Sequence, residues 1–143
     1  MDIDQTFSAI PRKGFQAQAA SPVASGFPSP SAGLEGLSLS LDQHLVERPS
    51  ATYFCQVSGD AMILAGIHDG DLLVVDSSLP PLHGRVVVAV IFGELVVRRL
   101  HIQSAGRWLL AETSDASIKP LDITRYDQDQ LFWGVVTWVL HRP

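Results

Sequence analysis

From residue 51 onward, apolar residues come in short blocks of strand length, each bounded by a turn signal. Thr52–Val57 is β-branched and aromatic, and Asp69-Gly70 leads into the apolar run Asp71–Asp76. Arg85–Ile91 and Glu94–Ile102 are joined at Phe92-Gly93, which predicts a tight hairpin. Arg107–Glu112 and Leu131–His141 predict two more strands, and Asp60–Ala65 one short helical turn. Just upstream, Ser40 with Gln43 three residues on forms a capping-box pattern, which predicts a helix of about seven residues stopped by Pro49. Many short strands without alternating long helices predict a mostly β fold: a compact antiparallel sheet or partly open barrel. No internal repeat is visible.

The first 36 residues follow another pattern: thirteen are Gly, Pro or Ser and six are Ala. Pro11, Pro22, Pro28 and Pro30 exclude a long helix or central strand. The expected organisation is therefore an extended, flexible N-terminal arm over 1–37 and a β-rich domain over 38–143.

Composition narrows the classes. With 143 residues and 46% hydrophobic content, one ordinary domain with a buried core is expected. A net charge of -5 argues against a main role in gripping nucleic-acid backbones, so no direct nucleic-acid binding is expected. The single cysteine, Cys55, lies in an apolar run and reads as a buried thiol without a disulfide partner in the chain. No run reaches the 18 or so apolar residues of a membrane span. Met1-Asp2-Ile3-Asp4 lacks the basic start of a secretory signal, and a cytoplasmic location is expected. His44, His68, His83, His101 and His141 have no zinc-ligand spacing along the chain, so they read as turn and surface residues, with no metal expected. No phosphate-binding glycine loop is present, and no cofactor is expected. Trp133 and Trp138 are five apart, which on one regular strand puts them on opposite faces, one toward the core and one toward a partner.

The candidate chemistry sits in Val57-Ser58-Gly59-Asp60-Ala61-Met62 and Gly93-Glu94-Leu95-Val96-Val97-Arg98-Arg99-Leu100. The first resembles the S-G-D-S-M box of the LexA/UmuD family of self-cleaving Ser–Lys proteases, and the second resembles its base-bearing strand, G-E-x-x-V-K-R/K-L. The resemblance spans roughly residues 25 to 140. It also rests on Gly26-Phe27-Pro28-Ser29-Pro30, Pro49-Ser50-Ala51-Thr52-Tyr53-Phe54, Gly66–Asp76, His83-Gly84 and Gly134-Val135-Val136. It is closest to UmuD, the short member that lacks a DNA-binding domain and serves an error-prone polymerase. In that family the second serine of the box is the nucleophile, and here Ala61 stands there. The base lysine matches Arg98. A methyl group cannot attack a carbonyl, and a guanidinium with a pKa above about 12 cannot act as a neutral base. Both members of the dyad are therefore replaced.

The resemblance further implies an oxyanion site at the backbone of Ala61 and Met62, and a cleavage site at Ser25-Gly26. Asp60 reads as a helix N-cap, and Ser58 matches the non-catalytic serine of the box. Arg98 has two readings: an exposed cation like Arg99, or a planar fork in the former dyad pocket, paired with a carboxylate or carbonyls. Alternation puts it on the face of Val96 and Leu100. Arg85 and Phe92 depart from the family pattern at places outside the dyad. The implied partners are a second copy or an active UmuD-like paralogue, a Y-family translesion polymerase subunit, and the RecA filament. The implied role is a catalytically silent accessory subunit of the SOS response. An alternative is a self-cleaving peptidase whose natural serine and lysine have been substituted. A LexA-type repressor needs a helix-turn-helix of about 60 residues, for which the arm has neither length nor pattern.

Overall fold

The structure is a computed structural model that describes residues 2–8 and 38–143, with backbone alone for Phe7 and Ser8. Its strands are β1 (Ile3–Ser8), β2 (Thr52–Val57), β3 (Leu72–Asp76), β4 (Val86–Ile91), β5 (Glu94–Gln103), β6 (Gly106–Leu110), β7 (Leu121–Asp122) and β8 (Phe132–Leu140). The helices are short: α1 (Leu41–Leu45), α2 (Gln128–Leu131), and 3-10 turns at Pro49–Ala51 and Ile63–Ala65. All eight strands form one sheet in the order β1-β2-β3-β8-β4-β5-β6-β7. Every pairing is antiparallel, and the sheet does not close into a barrel. The mostly β expectation holds.

The central strands are apolar because both of their faces are covered. Val87, Val88 and Ala89 of β4 are fully buried, as are Leu73, Val74 and Val75 of β3. One face packs Cys55, Val57, Met62, Ile67, Leu73 and Val88 together, and the other packs Val87, Ala89, Leu100, Leu109, Ile123 and Val135. The β4–β5 hairpin turns at Phe92 (φ 51°) and Gly93 (φ 77°), as its sequence predicts. Two positive φ values in succession form the mirror-image turn that suits the strand twist.

Four features differ from the sequence reading. Ser40 stands at the N-cap of α1, but its side chain makes no capping bond, so the capping box does not form and the helix is five residues long. Residues 3–8, inside the segment read as an arm, form an edge strand on β2. The rest of that segment, 9–37 with Ser25-Gly26, lies outside the described residues. β7 and α2 were not anticipated, though Asp127 caps α2 by accepting the Asp129 N–H. Finally, Trp133 and Trp138 are both about half exposed, at 45% and 44%. β8 is irregular at two places that break the simple alternation: its register with β3 shifts between Val74 and Val75, leaving Thr137 unpaired, and its register with β4 shifts between Val88 and Ala89, leaving Trp133 unpaired. Trp133 then meets Tyr53 edge-on at 6.3 Å, and Trp138 lies 5.4 Å from the His44 ring.

β8 joins the two halves of the sheet, and at Gly134 it leaves no room for a side chain against β3. A Cβ there would lie 2.6 Å from Val75 Cγ1 and 3.0 Å from the Asp76 carbonyl oxygen. Gly134→Ala is expected to lower stability by ~1–3 kcal/mol through overpacking, read as a reduced urea midpoint at unchanged slope. A wild-type midpoint would show that β8 does not approach β3 this closely.

Candidate functional site

β2 ends at Val57, and the following turn carries Ala61 and Met62 into the 3-10 turn at Ile63–Ala65. Gly59 takes φ 92°, which a side chain would oppose, and its N–H donates to Asp69 Oδ1 at 2.7 Å. The Glu112 N–H donates to the Ala61 carbonyl, and the Leu64 N–H to the Glu112 carbonyl, both at 2.9 Å. The box is thus stitched to the segment that follows β6. Met62, not Asp60, holds the N-cap position of the 3-10 turn, without a side-chain capping bond. Asp60 contributes its backbone carbonyl, which accepts the Ile63 N–H at 3.3 Å. Ala61 and Met62 are buried, and among the described residues their N–H groups donate to no backbone carbonyl.

Arg98 is not an exposed cation like Arg99: it is buried and paired with a carboxylate and a carbonyl, as in the second of its two readings, but it does not line the cleft at Ala61. It is 7% exposed and shares its face with buried Val96 and Leu100. Its NH1 donates to the Val97 carbonyl at 2.8 Å and to the Asp2 carboxylate. The same Asp2 oxygen accepts the Val97 N–H at 3.1 Å. This approach is open because β6 pairs with β5 only over Arg99–Gln103, which leaves the Val97 edge free. The Asp2 carbonyl accepts the Ser58 N–H at 2.8 Å, where β1 meets β2. Asp2 thus connects the two motifs. It lines a cleft with Ser58, Gly59, Ala61, Met62 and Val97, and it neutralises Arg98. That cleft has a volume of about 10 Å³, at or below what one water occupies.

Arg99 is held differently. Its Nε and NH2 donate to Glu112 Oε1 and Oε2 at 2.7 and 3.0 Å, a bidentate fork at the half-exposed surface. Hydrogen bonds from Arg99 hold the Glu112 carboxyl below its ordinary range, and those bonds also raise Arg99. Cys55 is fully buried, and burial pushes its thiol up to about 11, so it is neither a ready nucleophile nor a metal thiolate.

The structure also brings together residues that spacing along the chain keeps apart. His68, Asp71 and His141 place three ligand-type atoms within 4.8 Å of one another. The expectation of surface histidines without a metal set counted neighbours in sequence. The β3–β8 ladder, where Leu72 pairs with Leu140, carries His141 to Asp71 across 70 positions. Burial alone would raise the Asp71 carboxyl. Hydrogen bonds from the His68 N–H and from His141, with both imidazole charges, instead hold it below the usual range.

Residues 18–137 match the family described as peptidase S24-like. Protein ImpA of Salmonella typhimurium is 42% identical over 117 residues, covering 82% of this chain and 77% of that protein. Protein MucA of Escherichia coli is 43% identical over 115 residues, covering 80% and 77%. LexA repressor 1 of Pseudomonas syringae pv. tomato is 37% identical over 94 residues, covering 66% of this chain and 46% of that protein.

The pairing of Arg98 with Asp2 has a measurable consequence. Asp2→Ala leaves a buried cation without a counter-ion and is expected to lower stability by ~2–4 kcal/mol. Arg98→Met removes the charge itself and is expected to cost less, under about 1.5 kcal/mol. Urea unfolding of the two variants checks the order, and equal or reversed losses would contradict this pairing.

Proposed function

Because the chain belongs to the LexA/UmuD family of peptidase S24-like proteins, we propose that it is a UmuD-like accessory subunit of an error-prone translesion polymerase in the SOS response, catalytically silent and acting as a binding module. The observation that carries the silence is the cleft at Ala61. It offers a methyl group where the family has its nucleophile. Asp2, which lines that cleft, also pairs with Arg98, the permanent cation at the family's base position. Neither alkaline pH nor a filament can remove a proton that a guanidinium does not release.

As a binding module, the protein uses its β sheet, with β1 as the edge strand, for partner contacts, and the Ser25-Gly26 bond, outside the described residues, for cleavage by a relative. Its partners under this reading are a second copy or an active UmuD-like paralogue, a Y-family polymerase subunit, and the RecA filament, in the cytoplasm. Among the described residues no helix is long and apolar enough to cross a membrane.

Incubation with activated RecA filament, read by intact mass, tests the silence. The chain alone is expected to yield no fragment starting at Gly26. Mixed with an active relative, it is expected to yield that fragment, and Gly26→Val is expected to block it, because a β-branched residue restricts φ at the scissile bond. A Gly26 fragment from the pure chain would overturn the silence. No such fragment from mixed dimers, while the relative cleaves itself, would overturn the substrate role.

Restoration follows the same logic. Ala61→Ser alone and Arg98→Lys alone are expected to stay inactive, since members of a catalytic pair are strongly non-additive. The double change keeps Asp2 beside residue 98, and a neighbouring carboxylate favours the charged ammonium. Adding Asp2→Ala is therefore expected to raise the cleavage rate of the double variant by at least about ten-fold, the effect of roughly one pKa unit. Appreciable cleavage by Ala61→Ser alone would reveal another base.

A further inference from the structure

The His68–Asp71–His141 cluster lies at the end of the β3–β8 ladder and is independent of the reading above. Its backbone is fixed from two sides. His68 and Asp71 close one turn: the His68 N–H donates to Asp71 Oδ2 at 2.8 Å, and the Asp71 N–H to the His68 carbonyl at 3.0 Å. His141 follows β8 directly, opposite Asp71 in register. The Asp71 side chain is buried, whereas those of His68 and His141 are 44% and 46% exposed. The ring centroids lie 4.4 Å apart, and both Nδ1 atoms face the carboxylate. His141 Nδ1 is 2.6 Å from Asp71 Oδ1, and His68 Nδ1 is 3.5 Å from Asp71 Oδ2. His68 Nδ1 is a buried atom without a hydrogen-bond partner among the described residues.

We propose that His68, Asp71 and His141 form a binding site for a borderline divalent cation, with Zn²⁺ as its representative. Two imidazoles and one carboxylate are a three-ligand set that leaves a further position open to water. With metal–ligand bonds of about 2.0–2.1 Å, tetrahedral ligand atoms sit ~3.3 Å apart. The atoms here span 2.6 Å to within 4.8 Å. Reaching the metal geometry means opening the 2.6 Å His141–Asp71 contact to ~3.3 Å, while His68 Nδ1 at 3.5 Å already lies near that spacing, and both rings are partly exposed and free to turn. The ion gives the orphaned His68 nitrogen its partner. The His68 N–H bond to Asp71 is the outer-shell contact that orients a ligating carboxylate. Imidazole donors select zinc, nickel or copper over magnesium and calcium, which favour oxygen alone. Bound there, the ion ties the end of β8 to the start of β3, clamping the strand that joins the two halves of the sheet.

The test uses the untagged full chain stripped with EDTA. Zinc chloride is titrated by calorimetry, and thermal melts are recorded with and without it. The expected result is one zinc per chain, no uptake of Mg²⁺, and a Tm raised by at least about 5 °C at saturating zinc. His68→Ala and His141→Ala are each expected to weaken binding at least about ten-fold and to abolish the zinc-dependent rise. Their circular dichroism in the absence of metal should match the wild type. His83→Ala removes a ring of the separate His83–His101 pair, whose centroids are 5.0 Å apart, and should bind as the wild type does. No zinc uptake by the wild type would overturn the proposal, and a lower metal-free Tm in His141→Ala would then assign the cluster to hydrogen bonding alone. Uptake unchanged in both histidine variants, or lost in His83→Ala, would overturn it as well.

Discussion

The guanidinium of Arg98 is almost entirely withdrawn from water, so a negative charge has to be brought to it. The carboxylate comes from Asp2, 96 residues away in the chain, and several features follow from that. Asp2 fills the open edge of β5 at Val97. Its carbonyl takes the Ser58 N–H and sets β1 against β2, which converts the start of the chain into an edge strand. The same residue narrows the cleft beside Ala61 to about 10 Å³. One ion pair thus accounts for the buried cation, the added strand and the closed cleft.

The second constraint is the placement of β8 between β3 and β4. The last strand of the chain completes the middle of the sheet, so most of the fold's pairings are long-range. Gly134 permits the close approach to β3, and the two half-exposed tryptophans stand at or beside the two register shifts of β8, Trp133 in its pairing with β4 and Trp138 next to Thr137 in its pairing with β3. That geometry also delivers His141 to Asp71. The site at Ala61 and the histidine cluster lie at separate places on one scaffold.

The strands legible in the sequence were those whose burial is carried by their own residues. Thr52–Val57 and the hairpin around Phe92-Gly93 are apolar or β-branched over whole strand lengths, and their bounds agree closely with the structure. Alternation along β5 places Arg98 on a buried face, but the identity of its counter-ion is not legible, because a contact across 96 residues leaves no local pattern. For the same reason β1 was hidden in a Ser- and Pro-rich segment, and the His68–Asp71–His141 cluster was invisible to spacing rules. β7 is two residues long, too short to carry periodicity. The Ser40–Gln43 pattern gives a helix start at Ser40 but no side-chain cap, and the first turn is closed by the His44 N–H donating to the Ser40 carbonyl at 3.0 Å.

The central claim is that the Asp2–Arg98 pair holds the N-terminal strand across the cleft. Residue-resolved hydrogen exchange, comparing the wild type with Arg98→Met, tests it most directly. The wild type should protect the Ser58 and Val97 amides together with those of β1. Arg98→Met should speed exchange at these amides by at least about ten-fold, corresponding to roughly 1.4 kcal/mol of local stability, while β3 and β4 stay unchanged. Equal protection of Ser58 and Val97 in both proteins would contradict the account.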